Sequence, residues 1–104
     1  MTTIVTVEGA YDCITRTPLG EQASVFTVIR DGDDRFHGTN AHELGTVSLD
    51  EGRIDGNCLT WTMTMPEPMQ LVLKGEAFIE GDQLFGTLEA GPYGISPMSG
   101  SRRT

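Results

Sequence analysis

The residues of this chain whose types could carry chemistry are few: His37 and His42, Cys13 and Cys58, Tyr11 beside Asp12, and the acidic run "DGDD" at 31–34. Their spacing removes most of the options. His37 and His42 are five apart, so on a strand they point to opposite faces and make a poor metal pair. "DGDD" lacks the ligand spacing and the terminal Glu of a calcium loop, and its Asp-Gly reads as a hairpin turn. Cys13 and Cys58 stand 45 positions apart with no C-x-x-C, which suggests neither zinc nor a redox motif; both read as small reduced core residues, with a bridge or a reactive thiol as the alternative. No Walker sequence, nucleophile elbow or dinucleotide fingerprint occurs, so no cofactor and no metal are expected. What survives is acid–base chemistry without a cofactor, with His42 and Tyr11 as the groups that could move a proton.

Such groups act only where the fold aims them. Thirteen glycines and five prolines cut the 104 residues into short pieces rich in Val, Ile, Thr, Phe, Leu and Met, and no piece carries a helical period. The cuts "TPLGEQ", "RDGDD", "HELG", "IDGN", "PEP", "EGDQ" and "GPYG" are turn sequences. They predict eight strands, near 9–17, 22–30, 35–41, 46–54, 58–65, 70–79, 83–90 and 95–102. Loops this short cannot make parallel crossovers, so the sheet is an antiparallel up-and-down meander. Closing into an eight-stranded all-β barrel hides its edges; a two-sheet sandwich is the alternative. The whole chain, 1–104, reads as one domain.

The meander repeats itself. "DRFHGTNAHELGTVSLDEGR" and "DQLFGTLEAGPYGISPMSGSR" match through Asp34/Asp82, Gly38/Gly86, Thr39/Thr87, Gly45/Gly94 and Arg53/Arg102, and a third copy begins at "GNCLTWTM". Alignment of the copies sets Phe36, Gly38, Asn40 and His42 against Leu59, Trp61, Met63 and Met65, and against Leu84, Gly86, Leu88 and Ala90. With the Trp61 side inward, glycines at 38 and 86 leave space beside the indole, and only the third strand aims polar groups, Asn40 and His42, at the interior. A pocket follows, lined by Trp61, Met63, Met65 and Phe36, with Asn40, His42 and Tyr11 at its polar end and "MPEPM" at its rim.

A formal net charge of -8 argues against nucleic acid and anionic membrane as partners. The start "MTTIVTVEGAYD" has no signal-like pattern and no long apolar run follows, which points to the cytoplasm. "SVFTVIR" and "LVLKGEAF" are apolar on both faces, and the outward members need the cover of a second copy, so a homodimer is expected.

The runs "GAYDCITRTPLGEQ", "DGNCLTWTM", "GDQLFGTLEAG" and "SGSR" resemble small lipocalin-like β-barrel domains of bacteria, some of them appended to larger hydrolase-type enzymes. The resemblance implies the barrel and transfers no catalytic residue. The leading expectation is a barrel that binds a small apolar molecule. A cofactor-independent isomerase, lyase or cyclase acting on a hydrophobic metabolite and a packed interaction domain without ligand are the alternatives.

Overall fold

The computed structural model describes residues 7–17, 20–43, 45–65, 71–91 and 94–103, with the Met65 side chain outside the description. Eight strands follow one another: β1 (Gly9–Thr17), β2 (Gly20–Arg30), β3 (Arg35–His42), β4 (Gly45–Asp55), β5 (Cys58–Met65), β6 (Leu71–Glu80), β7 (Gln83–Glu89) and β8 (Ile95–Arg102). Each pairs antiparallel with the next, and β8 pairs with β1, so the sheet is a closed up-and-down barrel with no open edge. The expected strands are all present, with ends that agree to within two residues, and the sandwich alternative is excluded by the β1–β8 ladder.

Alternation decides which residues fill it. Tyr11, Cys13 and Thr15 on β1, Phe26 and Val28 on β2, Leu59, Trp61 and Met63 on β5, and Ala77 and Ile79 on β6 are buried, while their sequence neighbours face outward. The face deduced from the repeat is the inner one: Phe36, Gly38, Asn40, Leu59, Trp61, Met63, Leu84 and Leu88 are buried, and His42, Gly86 and Ala90 are half-buried. Cys13 belongs to the core, but Cys58 precedes the inward Leu59 and is only half-buried on the outer side; both thiols are free. Of the residues expected to need cover, Ile29, Val72 and Phe78 are exposed on the outer wall.

At the end of the barrel carrying the turns at 31–34, 56–57 and 81–82, here the lower end, the repeat has a physical counterpart. The carbonyls of Asp34, Asn57 and Asp82 accept hydrogen bonds from the amides of Ile54, Ile79 and Arg102 at 2.8, 2.9 and 2.7 Å. Each of the hairpins β3–β4, β5–β6 and β7–β8 is thereby clasped in the same way across its open end.

The glycines of the repeat do a different job from the one expected of them. A Cβ at Gly38 would strike the Thr27 carbonyl, and one at Gly86 would strike the Glu76 carbonyl and Ala77. These positions mark close approach of one backbone to its neighbour, as a tightly coiled small barrel requires. Gly38→Ala and Gly86→Ala should each lower stability by about 1–3 kcal/mol, because backbone yields less readily than a side chain; urea denaturation of the two variants measures it.

Candidate functional site

The lone tryptophan has its room made by Gly75, its direct partner on β6: a Cβ there would overlap the indole. A bulky ring and a glycine on facing positions complement each other in a space too narrow for two side chains. Phe26 tilts against the indole at 4.7 Å between centroids and Phe36 meets it edge-on at 6.4 Å, so two aromatic rings pack against Trp61. The indole is 2% exposed, and its Nε1 donates to nothing among the described residues.

Asn40 is one strand from Phe26 in direct register, and at 8% exposure it is the buried carboxamide of the interior. Its Oδ1 accepts no hydrogen bond among the described residues. The apolar interior thus holds an unpaired acceptor and an unpaired donor, both adjacent to Phe26.

Tyr11 and His42, expected at one polar end, are separated. Tyr11 is third from the lower end of β1; its hydroxyl donates to the Val7 carbonyl at 2.8 Å and accepts from Arg102 Nη2 at 2.6 Å. The Arg102 guanidinium also lies 5.2 Å from the Tyr11 ring centroid and reaches Asp82 at 3.9 Å. Burial above all raises the Tyr11 phenol above its ordinary value, which keeps it neutral. This is a seal on the lower end of the barrel, and it was invisible in the sequence because Arg102 is 91 residues away.

His42 is the last residue of β3 at the opposite, upper end. It shares an inward row with Ser24 and Cys13, each the direct register partner of the next. A Cys, a Ser and a His in one row suggest nucleophilic chemistry, but the thiol is unsuited to it: burial, then the Asp12 carboxylate, pushes Cys13 from 9.0 up to about 12. Toward this end Val47 and Leu73 are partly buried against the core, beside the buried Met63. "MPEPM", expected at the rim, lies outside the described residues, as does the Met65 side chain.

Outside the barrel, β4 carries a feature without a sequence signal. Asp50 pairs with Thr62 and Arg53 with Thr60, so Glu51 and Gly52 together oppose Trp61 in a β-bulge, and Glu51 takes a φ of 51°. A groove of about 630 Å³ opens over this bulge on the outer wall. Among the described residues no group of three or more His, Cys, Asp or Glu is placed to hold a metal ion, and no helix is long and apolar enough to cross a membrane. No protein-family model matches the chain, and neither the curated proteins nor the solved structures include a match. Its class is therefore the one that the geometry defines, a closed eight-stranded antiparallel β-barrel whose interior holds Asn40 Oδ1 and Trp61 Nε1 without a hydrogen-bond partner among the described residues.

Two measurements follow. The folded chain holds the Cys13 proton that the unfolded chain gives up near pH 9, so the stability linked to it is complete below pH 9 and is lost as pH rises toward 12. Urea midpoints should fall between pH 8 and 11 by an equivalent of about 1–2 kcal/mol, and Cys13→Ala should flatten part of that slope whatever it does to the midpoint at pH 8. At the bulge, Glu51→Gly relieves a left-handed backbone on an L-residue and should raise stability by up to about 1 kcal/mol, read by thermal unfolding.

Proposed function

We propose that this protein binds a small, largely apolar molecule bearing one polar group, in the manner of a lipocalin-like barrel. The observation that carries the reading is a pair of buried interior atoms without a hydrogen-bond partner among the described residues, Asn40 Oδ1 and Trp61 Nε1. Each costs about 1–3 kcal/mol if left without a partner, and native cores hold few such groups. An acceptor and a donor on either side of one phenylalanine complement a hydroxyl, carboxylic acid or amide, each of which can both donate and accept.

Trp61, Phe36 and Phe26 form the aromatic floor of this seat, and Met63 its adaptable wall. Val47 and Leu73, partly buried, lie on the approach from the upper end, where His42 and Ser24 face inward at the rim. The lower end is plugged by Val7, Tyr11 and Arg102, so entry is from above. With Tyr11 held in its hydrogen bonds and Cys13 protonated, His42 is the residue left for proton transfer in the enzymatic alternative, and His42→Gln divides the two. A binder keeps most of its affinity, whereas an enzyme using His42 loses roughly 10²–10⁴-fold in rate.

Native mass spectrometry of the purified protein should reveal a co-purifying small molecule whose removal shifts Trp61 emission. Asn40→Leu should abolish retention of that molecule and, by deleting an unpaired acceptor, raise the stability of the empty barrel by about 1 kcal/mol or more. An empty wild-type protein combined with an Asn40→Leu variant less stable than wild type would refute the reading.

A further inference from the structure

The chain has seven Lys and Arg against fifteen Asp and Glu, so every cation has acids to spare. Four of the seven use them: Arg16 with Glu21, Arg30 with Glu8, Arg102 with Asp82 and Arg103 with Asp12. Arg35, Arg53 and Lys74 make no ion pair among the described residues, and all three line the groove over the β4 bulge. Glu51, Glu76 and Glu89 line it too, equally without an ion pair among the described residues. Opposite charges that share a surface and do not pair are available to something else.

Register gives the groove a direction. One outward row runs Arg35, Arg53, Thr60, Glu76, Thr87 across β3 to β7, each the direct partner of the next. The adjacent row runs Thr62, Lys74, Glu89. Between the charged ends the floor is made of threonines and of Gly52 and Gly75, and the bulge opens it down to the edge of Trp61. Arg35 and Arg53 stand directly opposite each other, a like-charge cross-strand pair that is unfavourable by itself. A carboxylate between the two guanidinium forks converts that repulsion into charge-assisted hydrogen bonds. Glu76 is two strands beyond Arg53, about 10 Å at the usual strand spacing.

We propose that this groove is a second binding site, for a zwitterion of the size of a free tripeptide. Its carboxylate sits on Arg53, with Arg35 beside it, and its ammonium on Glu76, about 10 Å apart, the span of roughly three extended residues, with Glu89 adding negative charge at the ammonium end. Thr60, Thr62 and Thr87 supply hydroxyls to the peptide groups between, and Lys74 a donor to a carbonyl. Single amino acids are too short to reach both ends, and dianionic phosphate meets the three glutamates.

The probe is trialanine, titrated to about 10 mM, well above the ~1 mM dissociation constant of a weak specific site, and followed by amide chemical shifts and Trp61 emission. Trialanine should shift β4 to β7 resonances, weaken with added salt, and lose about 10- to 100-fold in affinity in Arg53→Gln or Glu76→Gln. The Arg53→Gln barrel should be no less stable than wild type, since a repulsion is removed, which separates ligand binding from a structural role. Asn40→Leu should leave trialanine binding unchanged, so this site and the interior one fail or stand separately. Trialanine without effect, equal binding of its acetylated and amidated form, or inorganic phosphate binding as tightly would each overturn the proposal.

Discussion

Closure of the sheet is the constraint from which the rest follows. The β1–β8 ladder pairs Tyr11 through Thr15 with Arg102 back to Met98, and it converts a meander with two bare edges into a cylinder whose interior volume is fixed by strand number. Once that volume is fixed, every inward position competes for it. A tryptophan can enter only where the next strand gives up its side chain, and backbones that crowd at Gly38 and Gly86 can do so only without a Cβ. Tyr11 and Arg102, one from each closing strand, lock the same seam from inside, so closure and the lower plug are one interaction seen from two sides.

Against this economy of space, the unpaired atoms stand out. A filled barrel of this width gains nothing from an Asn at position 40, where the equivalent position on β5 carries Met63 and that on β7 carries Leu88. The polar exception lies beside Phe26 and next to the inward row of Cys13, Ser24 and His42. The outer groove shows the same logic with charge in place of hydrogen bonds: among the described residues its lining cations and carboxylates form no ion pair with one another.

The strands, their order and the inner face were legible because turn glycines and period-two alternation are local signals, and because three copies of one hairpin pattern oriented one another. Local signals end where the chain meets itself at a distance. Nothing near Trp61 in sequence announces Gly75 as its counterpart, although a glycine interrupting "LVLKGEAF" is a mark of close approach. Glu51 gives no hint of a left-handed bulge, since such positions are normally read from glycine or asparagine. Residue type alone puts Cys58 in the core, whereas its parity against Leu59 places it outside. Chemistry alone unites His42 and Tyr11; the partners that separate them, Arg102 for one and Ser24 for the other, come from register.

Because the clasp of turn carbonyl to strand amide recurs in the hairpins β3–β4, β5–β6 and β7–β8, while β1 and β8 are joined side by side, the order of strands around the cylinder does not depend on where the polypeptide starts. The Arg103 amide already donates to the Ala10 carbonyl at 2.8 Å, so the two ends of the sheet are within a short turn of each other. A chain opened between two clasped hairpins and linked there instead would keep all eight ladders, its clasps and its seam. The barrel is in this sense a ring of hairpins, and its written beginning is one of several that the same physics would accept.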